Sequence, residues 1–359
     1  MRSYRFIQLD VFTQQAFTGN PLAVFPEAEG LSDVEMLKIA REMNLSETVF
    51  VLKPQAPQAD RVEAGSSEAT TGKESGTGVA PETKSGVTPQ NDLKAKRTGI
   101  SDAPAVLRRL RIFTPMREIP FAGHPVVGTW NALAGEGVVP LPETGTGWTR
   151  ILHEVGIGVL PVDIEFKDGQ PVQVVMTQGK PALGAVIDTP KDQADIARAL
   201  GLSQEDLDEG LPIQVISTGL PFLAVPIRAL ADLRSCRVNT ALLAEIYTNL
   251  DATGCCPFTR ETIEGGKARA HLRMFAPDDD IPEDPATGSA AGALGAYLVH
   301  YGASRVEPVD GSFSFVIEQG DFIRRPSRIN LEVKGEAGAI EQVRVGGPSV
   351  VVASGEVFF

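Results

Sequence analysis

The chain has 359 residues, 42% hydrophobic and 22% charged, with a formal net charge of -13. These are ordinary globular proportions, and the length suffices for two domains, each with its own core. The acidic balance argues against nucleic acid, which needs clustered Lys and Arg, and no apolar run reaches the roughly 20 residues that span a bilayer. The N-terminus Met-Arg-Ser-Tyr-Arg-Phe lacks the apolar stretch of a signal peptide. Cys236, Cys255 and Cys256 form neither a metal-ligand spacing nor a disulfide framework. The expectation is a cytoplasmic protein with no partner among nucleic acids or membranes.

Tyr4 to Phe12 alternates as a strand, and Phe17-Thr18-Gly19-Asn20-Pro21 reads as a turn into the apolar strand Leu22 to Phe25. Ser32 and Glu35 form a capping box; Val34, Leu37, Ile39, Ala40 and Met43 then make an amphipathic helix that ends near Asn44. A polar corner, Leu45-Ser46-Glu47, runs straight into Thr48 to Leu52, a strand apolar at almost every position, as strands with both faces covered tend to be. Glu47 therefore stands at the edge of a core, although a Glu at a strand entrance is, taken alone, usually solvated.

From about 55 to 104 the chain is rich in Gly, Ser, Thr, Glu and Lys, has no aromatics and shows neither period of regular structure. Such a segment cannot bury enough apolar surface to offset its ordering entropy, so a disordered surface insertion is expected at 55–104. Both an inert insertion and a regulatory segment fit that composition.

Next comes Leu110 to Leu133, with Phe121-Ala122-Gly123-His124-Pro125 at its centre. Pro125 lies just inside the expected helix start, where a missing N–H costs little. His124 would stand beside free backbone donors, though a lone His is more often structural than catalytic. A Gly-rich stretch from Gly135 to Gly147 separates the halves. In the second half, strands are predicted around 158–166, 172–177 and 214–216, and helices around 192–200 and 240–250. Ser217-Thr218-Gly219-Leu220-Pro221-Phe222 reads as a weak counterpart of Ser46 to Phe50 without its acid.

Leu272 to Leu298 is a short strand, an acidic Pro-rich turn and a helix that is apolar or small on every side from Ala290 to Val299. A helix with no polar face is buried all round. Starting at Thr287-Gly288-Ser289, it leaves orphan N–H groups inside the protein, which form an anion site. The tail from Phe313 to Phe359 reads as strands with Gly-Pro turns.

Leu110-Arg111-Ile112-Phe113-Thr114-Pro115 and Ile119-Pro120 match Leu272-Arg273-Met274-Phe275-Ala276-Pro277 and Ile281-Pro282 at one constant offset. After a slip of three residues, Gly123-His124 falls opposite Gly288-Ser289. The chain thus reads as two copies of a strand, turn and buried-helix unit, whose two helix N-termini could grip one ligand across a pseudo-twofold.

The motifs Asn44-Leu45-Ser46-Glu47-Thr48-Val49-Phe50-Val51, Phe113 to Pro125, Glu283-Asp284-Pro285-Ala286-Thr287-Gly288-Ser289-Ala290, and Asp10-Val11-Phe12 with Gly19-Asn20-Pro21 resemble the phenazine-biosynthesis isomerase family of PhzF type. The resemblance runs from the N-terminus to the final strands, interrupted by the 55–104 insertion. It implies an α/β (α+β) fold of diaminopimelate-epimerase type, with two pseudo-symmetric domains, each a curved sheet around a central buried helix. The domains expected are 1–145 plus 349–359, and 146–348, with the active site between them.

Carried over residue by residue, the resemblance makes Glu47 the general acid/base and His124 and Asp284 its polar partners. Asn20, Gly123, Gly288 and Ser289 become substrate-binding positions. Relatives of this fold that racemise amino acids use two thiols at the helix starts, where Ala122 and Pro285-Ala286 stand here. The implied activity is a cofactor- and metal-free isomerisation of a small unsaturated carboxylated metabolite, with a homodimer as the family's suggested assembly. The alternatives are a two-base epimerase or racemase, for which Asp284 is the one candidate second base, and a non-catalytic binding homologue.

Overall fold

The computed structural model describes residues 1–55, 102–279 and 281–359. The expected insertion at 55–104 lies almost wholly outside the described residues. Around the first central helix the elements are β1 (Ser3–Val11), β2 (Asn20–Phe25), α1 (Asp33–Met43), β3 (Glu47–Leu52), β4 (Asp102–Phe113), β5 (Glu118–Ile119), α2 (Gly123–Gly135), β6 (Gly147–Val155), β7 (Gly158–Lys167) and β8 (Gln170–Thr177). The second set comprises β9 (Ala182–Ile187), α3 (Pro190–Ala199), β10 (Ile213–Ser217), β11 (Pro221–Pro226), α4 (Leu230–Ser235), α5 (Thr240–Thr248), β12 (Cys255–Thr259), β13 (Ala268–Leu272), α6 (Gly288–His300), β14 (Ser312–Gln319), β15 (Ser327–Glu336) and β16 (Ala339–Gly347). The last strand is β17 (Ser349–Phe358).

Two curved sheets follow one plan. The first runs β17-β1-β2-β3-β4-β6-β7-β8, parallel only at β2–β3 and β4–β6. The second runs β9-β10-β11-β12-β13-β14-β15-β16, parallel only at the corresponding pairs β11–β12 and β13–β14. A parallel neighbour needs a crossover, and helices supply it: α1 between β2 and β3, α4 and α5 between β11 and β12, and α2 and α6 at the other two. The sheets join where β8 pairs antiparallel with β16, Met176 opposite Val345.

The apolar character of the two central helices is explained by enclosure. Every residue of α2 from His124 to Ala134 is buried, and so is every residue of α6 from Gly288 to Val299 except Ser289. Small residues let the sheets close tightly on them. A Cβ on Gly128 would lie 2.6 Å from Leu22 Cδ2, and one on Gly295 would lie 2.5 Å from Leu331 Cδ1. One continuous apolar core links both enclosures, from Leu9, Leu22 and Trp130 to Leu294, Tyr297 and Val333. Outside it, α1 covers Phe25, Phe50 and Phe113, while Ile196 of α3, Leu233 of α4 and Leu243 of α5 share a cluster with Leu223 of β11. No helix among the described residues is long and apolar enough to cross a membrane.

Two details of the sequence reading change. The expected break at 145/146 falls between α2 and strands that wrap that same helix: β6 pairs with β4, β7 with β6, and β8 packs on α2. Grouping strands by the helix they enclose moves the break to the link after Thr177. The Gly-rich stretch is a loop within the first sheet's path. Second, Ser217 to Phe222 is not the counterpart of Ser46 to Phe50. It enters β11, which pairs parallel with β12 as β2 pairs with β3, so Thr218-Gly219-Leu220-Pro221 corresponds to Thr18-Gly19-Asn20-Pro21.

Candidate active site

The first residues of β2 and β3, the start of α2 and the turn before α6 converge. In the parallel β2–β3 pair Leu22 lies opposite Glu47, which brings Asn20 and Glu47 to the same end of the sheet. Helix α1 begins with the Ser32–Glu35 capping box and stops at Asn44, whose left-handed backbone (φ 50°) turns the chain toward β3. That stop decides which residue enters the strand, and it is Glu47.

Glu47, His124, Asp284 and Asn20 are all buried, with exposures of 8%, 5%, 7% and 0%. Asn20 is the hub. Its Nδ2 donates to Asp284 Oδ1 at 2.8 Å and to Ala286 O at 2.8 Å, and it approaches His124 Nδ1 at 3.3 Å. Thr287 Oγ1 donates to Asp284 Oδ2, so both oxygens of that carboxyl are occupied. His124 Nε2 lies 3.3 Å from Glu47 Oε2, yet the angles do not make a hydrogen bond, and each atom is buried without a partner. Two unsatisfied polar atoms facing each other in a buried site are costly unless something binds there.

Burial dominates the charge states. It pushes Glu47 up to about 7, against a hydrogen bond from Ser46. It pushes Asp284 up to about 6, with the His124, Thr287 and Asn20 contacts opposing and the Glu47 charge adding. It pulls His124 down to about 4, with Asp284 opposing. At neutral pH His124 is therefore an uncharged imidazole, and its contact with Glu47 is not an ion pair.

This has a consequence for stability. Because the folded pKa of Glu47 is about 7 against an ordinary 4.5, the folded chain holds a proton there that the unfolded chain has released. The stabilisation is complete below the ordinary value and is lost as pH rises through about 7. Glu47→Gln cannot ionise, so its stability relative to the parent should rise between roughly pH 5 and pH 8, measured by urea unfolding at each pH. A difference independent of pH would contradict a raised Glu47.

The two central helices meet at their N-termini. A Cβ on Gly123 would lie 3.8 Å from Ser289 N and 3.9 Å from Gly288 Cα. Neither Ala122 nor Thr287 caps its helix with a side-chain hydrogen bond. Two uncapped ends, each equivalent to roughly half a positive charge, repel unless an anion lies between them.

The halves differ in their acids. The sequence repeat sets Phe113 against Phe275; Phe113 pairs with Thr48 and Phe275 bridges Cys255. Thr48 thus corresponds to Cys255, and Glu47 to Gly254. The second half has no base there, and a Cβ at Gly254 would already crowd Phe275 O at 3.0 Å and touch Met274 Sδ at 3.5 Å. The cysteines supply none either: all three are buried, and burial raises their thiols, Cys236 to about 11. Among the described residues no group of His, Cys, Asp and Glu is arranged to hold a metal.

The family model for phenazine biosynthesis-like proteins matches residues 9–63 and 97–355. The chain belongs to the phenazine biosynthesis-like family. An uncharacterised isomerase of Clostridium acetobutylicum is 34% identical over 358 residues, 99% of each chain. The trans-2,3-dihydro-3-hydroxyanthranilate isomerase of Pseudomonas aeruginosa is 29% identical over 99% of each. The crystal structure of a Bacillus anthracis phenazine biosynthesis protein of the PhzF family superposes with a TM-score of 0.75, at 24% identity over the whole of both chains. The mixed α/β architecture with two helix-centred sheets is thus the family fold, and the class of activity is isomerisation.

Within this family frame the structure brings together every residue the sequence singled out: Glu47, His124, Asp284 and Asn20 in one cluster, with Gly123, Gly288 and Ser289 at the abutting helix ends. It also adds members. Gln319 accepts from Thr287 N at 2.9 Å and donates to Asp284 O at 2.8 Å; Gln178 Nε2 donates to Gly288 O at 2.9 Å and accepts from Thr218. Thr287 could have been found inside the Glu283 to Ala290 motif. Gln319 and Gln178 carry no local signal, because only the tertiary fold places these strand ends beside α6.

Proposed function

We propose that this chain is a one-base isomerase, in which Glu47 removes a proton from carbon of a small unsaturated carboxylated metabolite and returns it to another carbon of the same molecule. The observation that carries the reading is the buried, unpaired Glu47 Oε2, with a pKa near 7, beside two uncapped helix N-termini. A carboxyl poised near neutrality can accept the proton and give it back, which is the requirement for a shuttle, and such a shuttle needs neither redox cofactor nor metal.

The remaining groups divide the other work. The N-terminal N–H groups of α2 and α6, at Gly123, Gly288 and Ser289, suit a substrate carboxylate. In the tautomer with its proton on Nε2, His124 turns Nδ1 toward Asn20 Nδ2, which can only donate, and aims an N–H at Glu47. A neutral N–H there steadies the Glu47 carboxylate or the oxyanion that develops as the C–H bond breaks. Asp284 holds Asn20 and Thr287 with both oxygens, which suits a support and not a second base. The glycine at 254 likewise favours one base over a two-base epimerase.

The relative that isomerises trans-2,3-dihydro-3-hydroxyanthranilate indicates the substrate class to try first, an unsaturated ring carboxylate. The test is a panel of such acids incubated with the enzyme in deuterated water. The reading expects a mass-neutral product or deuterium at carbon; binding without either would support a binding homologue instead. Crystals soaked with sulfate or a dicarboxylate should show density near Gly123-His124 or Gly288-Ser289. Density confined to the outer surface would count against the anion site.

A further inference from the structure

The repeated phrase Leu-Arg-x-Phe-x-Pro contains an arginine that the proposed chemistry leaves without a task, and the two copies use it alike. Arg111 grips Glu118 through Nε and Nη2, and its guanidinium carbon lies 5.2 Å from the Phe113 ring centre. Arg273 grips Glu283 through Nε at 2.9 Å and Nη2 at 2.6 Å, 4.9 Å from the Phe275 ring centre. In each copy the paired glutamate lies in the connection that leads into a central helix, Glu118 in β5 and Glu283 in the bend before α6. Both copies of the unit thus keep one fork-to-fork geometry.

The second copy is the more committed. Arg273 and Glu283 side chains are 9% and 11% exposed, whereas Glu118 is 40% exposed. The remaining donor of Arg273, Nη1, reaches Leu233 O at 3.0 Å and Cys236 O at 3.4 Å, at the end of α4. The ring of Phe322 lies 5.6 Å from the same guanidinium. Glu283 immediately precedes Asp284, whose N–H donates to Met274 O at 3.0 Å, and Met274 immediately follows Arg273. The two dipeptides therefore lie side by side, with the ion pair locking their register.

We infer that Arg273 is a positioning residue: by fixing Glu283 against α4 it holds Asp284, and through Asp284 the side chain of Asn20, in the geometry of the site. The assignment rests on reading Asp284 as part of that site, but its test does not need turnover. Displacements of about 1 Å at a supporting residue can cost on the order of a hundredfold in rate, so a clamp of this kind has a reason to exist.

The test follows the Asp284 carboxyl by carbon-13 NMR in the free, full-length protein across pH. Two variants are compared with the parent. Arg273→Lys keeps the charge but cannot hold both Glu283 oxygens and the α4 carbonyls together. The double variant Arg273→Met with Glu283→Met replaces a buried pair by apolar groups of similar size, which avoids stranding one buried charge.

Burial holds the Asp284 midpoint near 6 in the parent. Loosening the clamp admits water, so the midpoint should fall toward the ordinary value of about 3.9, by on the order of one unit in the double variant and by less in Arg273→Lys. Arg111→Lys should leave it in place. A midpoint unchanged in both Arg273 variants would overturn the assignment and leave the pair as packing. A midpoint that falls while turnover stays at the parent rate would uphold the clamp and count instead against Asp284 having a part in the reaction.

Discussion

Replacing Glu47 by Gln should reduce turnover by roughly 10²–10⁴-fold while leaving ligand affinity within a few fold. The amide keeps the size of the side chain and its place at the entrance to β3, but it can neither take a proton from carbon nor return one. The helix N-termini, which hold the carboxylate in this account, are untouched. His124→Ala and Asp284→Ala should slow turnover less, since the proposal gives them only the task of steadying and positioning the acid/base. In the parent, activity limited by a free-enzyme carboxylate should rise with pH through about 7, the position to which burial has moved Glu47. A normal glutamate range for that limb would mean that a different group does the work. Equal losses of affinity and turnover in Glu47→Gln would make the residue a binding group.

The second large effect is on stability. Trp130 is fully buried at the centre of α2, inside the first sheet, and belongs to the core that continues around α6. Trp130→Ala removes its whole ring from an interior already closed to within van der Waals contact, so the walls cannot collapse freely into the gap. The cost should be about 3–5 kcal/mol, against a typical total of roughly 5–15 kcal/mol. Urea unfolding should show a midpoint lowered accordingly with an unchanged slope. A loss under about 1 kcal/mol would mean that α2 is not the pillar of the first half.

Most of the fold was legible because the strongest signals are local. The capping box at Ser32 and Glu35 predicted the start of α1. The absence of any polar face from Ala290 to Val299 predicted that α6 is enclosed, and the duplicated Leu-Arg-x-Phe-x-Pro phrase predicted two units of one design. Nothing in the composition around Gly135 to Gly147 tells whether the next strands wrap the helix before or the helix after. That is decided by hydrogen bonding between β4 and β6, which are separated by α2. The counterpart of Glu47 was misplaced for a similar reason. Sequence phrases compare residues along the chain, whereas Gly254 is identified by what lies across the sheet from it.

The site was legible in its residue types and less so in their roles. Glu47, His124 and Asp284 stand in motifs, and Asn20 in a turn, but the hub position of Asn20 depends on bonds to residues more than a hundred positions away. The charge states follow from burial, and a Glu at a strand entrance is ordinarily solvated, whereas Glu47 is buried. The supporting residues Gln319 and Gln178 are ordinary in sequence and specific only in space.

The central claim is that one carboxyl carries the proton from the carbon that loses it to the carbon that gains it. Its most direct test uses a turned-over substrate labelled with deuterium at the first carbon, in ordinary water, with the label sought at the second. Glu47 is 8% exposed, which restricts its contact with solvent while it holds the proton. The account predicts that part of the label appears at the new carbon with the parent enzyme, and that the slow residual product of Glu47→Gln carries no transferred label. Full isomerisation by Glu47→Gln, with solvent hydrogen alone at the new carbon, would contradict it.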